Sequence, residues 1–281
     1  MSRARTPPIL LHKRYDTTSA FTPESLLREA RRQKSLPTVA VPEICLLDPD
    51  GDIVRHLRAR GHADRHPGWA CYHTDLYVFH HEGHEYEYGI VGCAVGAAFA
   101  VLIAEELFAS GCQFLLSMTS AGQVLPLRAP PYFIVIDRAL RDEGTSYHYM
   151  PPSDYSAADA QLVELAREAL AAAGIPVQIG ATWTTDAPFR ETQEAIDAAS
   201  QAGILAVEME AAALYAFAKA RGRSVLCFAH VTNQMGRIEG DFEKGVADGA
   251  EDSLKVISLV AGWWRAARLT VIPGRPRRFP V

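Results

Sequence analysis

Strong positive charge is missing from this chain of 281 residues, in which 28 Lys and Arg face 33 Asp and Glu for a formal net charge of −5. Proteins that hold a nucleic-acid backbone neutralise its phosphates with clustered Lys and Arg, so the balance argues against nucleic acid as a partner. Cysteine is sparse: Cys45, Cys71, Cys93, Cys112 and Cys227 are scattered, with no CxxC pair. That spacing suits neither a disulfide frame nor a zinc site, and the thiols read as small apolar groups in a reducing compartment. Long apolar runs are absent too. No stretch of about 18 apolar residues offers a membrane span, and the basic start MSRARTPPILLHKR has too short an apolar part for a signal peptide. A soluble, cytoplasmic protein with no membrane partner is expected.

What is present suits a large core. Hydrophobic residues make up 48% and charged residues 22%, which favours a packed α/β domain over disorder. Patterning predicts helices over 23–33, 53–60, 157–173, 194–202 and 244–267, and another opened by 94–98 and closed after Leu107. Strands are predicted over 39–47, 69–79, 86–93, 114–118, 132–136, 177–183 and 224–231, with the second and third forming a hairpin. Strands alternating with helices imply a mixed, mostly parallel sheet covered on both faces. With no repeat and no linker, the expected division is an extension (1–37), one domain (38–268) and a tail (269–281).

Chemistry concentrates at the strand ends. An apolar run, 203–207, ends in Glu208-Met209-Glu210, and an Ala-rich helix follows at once. Carboxylates at a helix start are favoured by the dipole, but the end of a strand is also where open α/β sheets bind ligands. Gly96, among small residues at a strand-to-helix junction, lets backbone N–H groups approach an anion or a sugar. Thr119-Ser120-Ala121-Gly122-Gln123 reads equally as an oxyanion site or an ordinary turn. The loop 141–149, with Tyr147 and His148, is polar and aromatic and carries candidate site residues. His73, His80, His81 and His84 invite a metal, yet no spacing matches a ligand set, and no metal is expected.

These segments resemble the nucleoside phosphorylase family that includes uridine phosphorylase, the hexameric purine nucleoside phosphorylases and the methylthioadenosine/adenosylhomocysteine nucleosidases. VEMEAAALYAFAKARG carries the most specific match, supported by TSAGQ (119–123), TTDAPFRET (184–192) and VTN (231–233). The resemblance implies a three-layer α/β/α sandwich and assembly as a homodimer or a trimer of dimers. It implies cleavage of a nucleoside's N-glycosidic bond with phosphate as co-substrate and no other cofactor. Glu210 would hold the ribose 2′- and 3′-hydroxyls, supported by Glu208, with Met209 on the sugar's apolar face and Phe189 stacked on the base. His12, in Ile9-Leu10-Leu11-His12, resembles the histidine that reaches a neighbouring subunit's sugar. Asn233 stands where purine members carry an Asp, which makes the chain more like uridine phosphorylase. Thr192 and Gln193, however, replace the Gln and Arg that read uracil.

The phosphate site departs from the family pattern. Arginines expected from the first loop, the strand before TSAG and a neighbouring subunit are replaced by Gly51 or Asp52, by Leu115 and Leu116, and by Tyr72 or His73. Thr119, Ser120, the Gly96 backbone, His73 and Arg128 or Arg141 are the groups left to substitute in part for them. Asp52 stands where nucleosidase relatives keep a carboxylate to activate water. Three functions stay open on these residues. The first is a phosphorylase yielding free base and ribose 1-phosphate. The second is a hydrolytic nucleosidase, and the third is a nucleoside-binding homologue without catalysis.

Overall fold

The computed structural model describes residues 6–235 and 239–269. The tail beyond 269, expected as a separate segment, lies outside the described residues.

Helix α1 (Pro23–Lys34) begins as its sequence dictates. The Thr22 hydroxyl accepts the Ser25 N–H at 3.3 Å, and Pro23 fills the first turn. Leu27 and Ala30 bury its apolar stripe beside Ala70 and Ala109. Strand β1 (Ile44–Asp48) is buried throughout and leads into α2 (Asp52–Ala59). Three strands then pair antiparallel: β2 (Ala63–Arg65), which patterning did not predict, β3 (Tyr77–His80) and β4 (Glu87–Gly92). Most of the predicted strand 69–79 is instead irregular. Its carbonyls are satisfied by side chains, with Lys34 Nζ on Cys71 O at 2.6 Å and the Trp69 indole on Thr74 O at 3.0 Å.

The chain continues through α3 (Ala97–Ala109), β5 (Phe114–Gln123), β6 (Tyr132–Asp142), β7 (Tyr155–Ala157), α4 (Ala160–Ala172) and β8 (Gln178–Thr185). It closes with α5 (Gln193–Gln201), β9 (Ala206–Glu208), α6 (Ala211–Arg221), β10 (Ser224–Asn233) and α7 (Ala250–Leu269). Residues 119–123 are not a turn. They extend β5, because β10 pairs with it as far as Gly122, and β9 then pairs with Gly122 and Gln123. The last helix starts six residues later than patterning predicts. Gly245, Ala247, Asp248 and Gly249 all adopt positive φ, so Lys244 sits in a loop.

Three layers result, as expected. Period-two alternation along β1 sends Cys45 and Leu47 to the α3–α6 side, and Ile44 and Leu46 to the α2–α4–α7 side. Fully burying each such aliphatic side chain stabilises by about 1.5–3 kcal/mol. The sheet runs β2-β3-β4-β1-β5 and then closes on itself, since β5, β10, β6, β8 and β9 form a ring of hydrogen-bonded neighbours. Helix α6 packs against this ring and is buried from Ala211 to Phe217. The Tyr215 hydroxyl pins it there, donating to Ile136 O at 2.6 Å and accepting the Cys227 N–H at 3.0 Å. Small residues AAA at the helix start are what allow so close an approach.

Candidate active site

Strand β9 delivers Glu208 to the first turn of α6. There its carboxylate takes four hydrogen bonds: Thr182 and Thr184 hydroxyls on one oxygen, and the Glu210 and Ala211 N–H groups at 2.7 Å on the other. Thr184 Oγ1 also accepts the Ala212 N–H at 2.9 Å. The exposed donors of the helix N-terminus are thereby satisfied from neighbouring strands. Glu208 commits both its oxygens to holding the start of α6, at the wall of a neighbouring cavity.

Glu210 follows, with one oxygen on the Gly96 N–H at 2.7 Å and the other on the Thr119 hydroxyl at 2.8 Å. Gly96 has φ +94° and nothing within 4 Å of where a side chain would start, so backbone alone approaches the carboxyl. Burial raises both carboxyls above their usual range, and the charge of Glu208 raises Glu210 further, while hydrogen bonds hold Glu208 back. With four donors, Glu208 is the better anion, and Glu210 is the one that holds a proton most readily.

Beside this pair lies a cavity of about 310 Å³, lined by Ser120, Gly122, Phe189, Glu191, Met209 and Asn233 among others. Phe189 is 100% exposed, a flat ring with no packing role. The Asn233 amide oxygen accepts the Met235 N–H at 2.9 Å, which orients its NH₂ group toward Thr232. Gly122 keeps the floor open, since a Cβ there would lie 2.5 Å from Met235 Sδ and 3.2 Å from Asn233 Oδ1. Burial alone pushes Glu191 up to about 7.

Ser120 also borders a second cavity of about 20 Å³, with Asp48, Asp50, Asp52, Thr119, His230 and Lys244 around it. The Ser120 N–H donates to Asp50 Oδ2 at 2.8 Å, and its hydroxyl meets Thr232 Oγ1 at 2.8 Å. Asp52 pairs with Arg55 through one oxygen and Lys244 through the other, both at 2.5 Å. Burial, helped by Asp50 and Asp52, pushes Asp48 up to about 7, while its oxygens accept the Gly51 and Val54 N–H groups. Burial works against the Lys244 ammonium, but Asp52 and Asp50 outweigh it and raise its pKa.

The structure thus joins Glu210, Thr119 and Gly96 by hydrogen bonds, sets Glu208 behind them, and places Met209, Phe189, Ser120 and Asn233 around one cavity with Asp52 at its neighbour. His12 and His148 line a different cavity of about 400 Å³ with Arg14, Tyr15 and Arg221, and Lys13 Nζ meets His148 Nδ1 at 2.6 Å. His73 sits edge-on to Phe99 at 6.4 Å. Within one chain these three histidines stand apart from the Glu210 cluster.

Arg141 is committed elsewhere. It donates to Ser146 Oγ, Ser153 Oγ and the carbonyls of Met150 and Pro151, with the Tyr147 ring 4.4 Å above it. The loop 141–149 is therefore tied to itself by a buried guanidinium. Arg128 lies over Tyr132 beside another cavity. Among the described residues, no three His, Cys, Asp or Glu side chains converge as a metal site, and no helix is long and apolar enough to cross a membrane.

Patterning missed Asp50, Glu191 and Lys244. Asp50 and Asp52 share one loop, and only the fold shows which carboxylate reaches Ser120. Lys244 stands 192 residues from Asp52, so no local spacing announces it.

A family model described as the Phosphorylase superfamily matches residues 43–261. A uridine phosphorylase of Thermococcus kodakarensis is 26% identical over 235 residues, covering 74% of this chain and 84% of that protein. A DeoD-type purine nucleoside phosphorylase of Psychromonas ingrahamii is 28% identical over 177 residues, covering 61% and 72%. A crystal structure of uridine phosphorylase from Vibrio fischeri shares the fold, with a TM-score of 0.65 at 18% identity over 80% of this chain and 92% of that one.

Proposed function

Because the chain belongs to the phosphorylase superfamily, we propose that it cleaves the N-glycosidic bond of a ribonucleoside and releases the free base. The observation that carries this reading is Glu210, a buried carboxyl held by Gly96 and Thr119 at the mouth of a helix. A carboxylate there accepts hydrogen bonds from the two ribose hydroxyls, displacing its own partners, and its negative charge opposes the positive charge that grows on the sugar as the bond breaks.

The neighbouring cavity supports the rest of the assignment. Met209 lies against the sugar's apolar face, Phe189 stacks on the base, and Asn233, whose NH₂ gives one hydrogen to Thr232, has its second amide hydrogen for the departing ring. An amide cannot donate a full proton, so the leaving base departs with hydrogen-bond support rather than acid catalysis. That suits a pyrimidine carbonyl, as in a uridine-type substrate. Phosphorolysis and hydrolysis share this cleavage and part only at the nucleophile. His12 and His148 stand apart from the cluster within one chain, which fits a homo-oligomer in which a neighbouring copy closes the sugar's far end.

Incubating the protein with a panel of ribonucleosides and measuring base release by chromatography tests the reading. Release of uracil or a related base, lost in Glu210→Gln, is expected. Failure to release base from any ribonucleoside, with or without phosphate, overturns it.

A further inference from the structure

We propose that a separate cavity, on the α7 side of the sheet, binds a planar aromatic monocarboxylate, with His230 as its buried polar contact. The cavity holds about 360 Å³ and lies between the loop before β6, the loop before β8 and the first turns of α7. It shares no lining residue with the base cavity, and the inference stands independently of glycosidic cleavage. Three observations carry it.

An aromatic wall is the first. Phe133 and His230 are cross-strand partners of β6 and β10, and their rings stack with centroids 4.6 Å apart and planes 19° apart. Gly249 fixes the imidazole from the α7 side, since a Cβ there would lie 2.2 Å from His230 Cε1. Ile175 and Val256 add apolar surface around the same space.

A polar group with nothing to bond is the second. His230 is only 6% exposed, yet among the described residues no hydrogen bond reaches either ring nitrogen. Buried polar groups are as a rule hydrogen-bonded, so an occupant that supplies the missing partner is favoured. Burial and the Lys244 ammonium hold the ring neutral, with its pKa down at about 4. One nitrogen therefore donates and the other accepts.

Charge is the third. Arg128, Lys255 and Asp252 line the cavity, and among the described residues none of them has an ion-pair partner. Arg128 lies 4.8 Å over the Tyr132 ring and gives one long hydrogen bond, to Pro176 O at 3.5 Å. Two cations against one carboxylate suit a single negative charge on the ligand, and a dianion would meet Asp252 uncompensated. The ligand's ring lies on the Phe133–His230 wall, its carboxylate answers the cations, and a polar ring substituent answers His230. His230 also borders the small cavity beside Ser120 and Lys244, so the occupant touches a wall of the candidate active site.

Isothermal titration calorimetry of the full chain with 4-hydroxybenzoate tests the proposal. Saturable one-to-one binding is expected, with a Kd of about 1 mM or tighter for a ligand of this size. The neutral 4-hydroxybenzamide, and trans-4-hydroxycyclohexanecarboxylate with its puckered ring, should each bind at least about tenfold more weakly. Lys255→Glu, at an exposed helix position, should melt like the parent and lose about tenfold or more in affinity. His230→Phe keeps the ring stack and should lose about fivefold or more. Phe189→Ala, in the base cavity, should bind the acid as the parent does. A weaker Kd for the parent, equal affinity for acid and amide, or parent-like affinity in Lys255→Glu or His230→Phe overturns the proposal. Loss of binding in Phe189→Ala moves the acid to the base cavity and overturns it as well. Base release from ribonucleosides enters none of these outcomes, so the two readings fail separately.

Discussion

Replacing Glu210 by Gln separates site chemistry from stability. Gln can keep both partners: its oxygen accepts the Gly96 N–H, its NH₂ donates to Thr119 Oγ1, and the Thr119 hydroxyl turns to the Ser120 carbonyl at 3.3 Å. No buried group is orphaned, and a carboxyl already inclined to hold a proton is replaced by its neutral isostere. The melting temperature should therefore stay within about 2 °C of the parent, which for this size corresponds to roughly 1 kcal/mol. Activity should not survive so well. Two ribose hydroxyls bonded to a charged rather than a neutral acceptor lose about 1–1.5 kcal/mol each. Opposing a positive sugar about 5 Å away loses a further ~3 kcal/mol at an effective dielectric near 20. Ionising a carboxyl raised above its usual range takes back roughly 1–2 kcal/mol. The remainder, about 3–5 kcal/mol, corresponds to a drop in kcat/KM of roughly 10²–10⁴. Steady-state kinetics on matched ribo- and 2′-deoxyribonucleosides provide the check, because the parent should prefer the ribo form and the variant should not. A variant within threefold of the parent, or one that keeps the ribose preference, refutes the assignment of Glu210 to the diol.

Glu208→Gln should behave in the opposite way. It weakens four hydrogen bonds and removes the charge at the start of α6, lowering stability by about 2–4 kcal/mol. A thermal melt should shift down by roughly 4–8 °C, and an unshifted melt would contradict the buttress role. Phe189→Ala, at a fully exposed position, should leave unfolding within about 0.5 kcal/mol while raising KM by about 3–10-fold through lost base stacking. An unchanged KM would take Phe189 out of the base site. His230 is neutral in the fold, with burial and then Lys244 holding its pKa down to about 4 from 6.5. Its contribution is present above pH 6.5 and is lost as pH falls toward 4, by about 3 kcal/mol in all. Denaturant titrations of parent and His230→Gln across that range should converge as the pH drops, and parallel curves would contradict the burial of a neutral ring.

Much of the fold was legible because alternation and helical period leave direct traces. Ile44-Cys45-Leu46-Leu47 divides between two cores in the strand that patterning predicts, and Thr22-Pro23 opens α1 where a cap and a proline say it should. The Glu208–Glu210 stretch was legible as a strand-to-helix junction. The two carboxylates look alike in sequence, and their division into buttress and ligand comes from Thr182, Thr184, Gly96 and Thr119, which are distant along the chain. Residues 119–123 looked like a turn because Ser, Gly and Thr favour turns. Two neighbouring strands supplied hydrogen-bond partners and overrode that preference. Asp50 and Lys244 were illegible for a different reason. A carboxylate's role depends on which cation and which N–H group it meets, and those arrive by tertiary contact.

The ring formed by β5, β10, β6, β8 and β9 has a bearing on how copies of this chain associate. Closed pairing leaves little exposed backbone for another strand to join. Among the described residues the terminal strands of the sheet are β2 and β7, each three residues long. At β2, Asp64 and Arg65 are exposed charges that resist strand addition. At β7, the Ser156 hydroxyl donates to Ala212 O, tying that margin to α6. Strand addition is therefore disfavoured at both of these terminal strands.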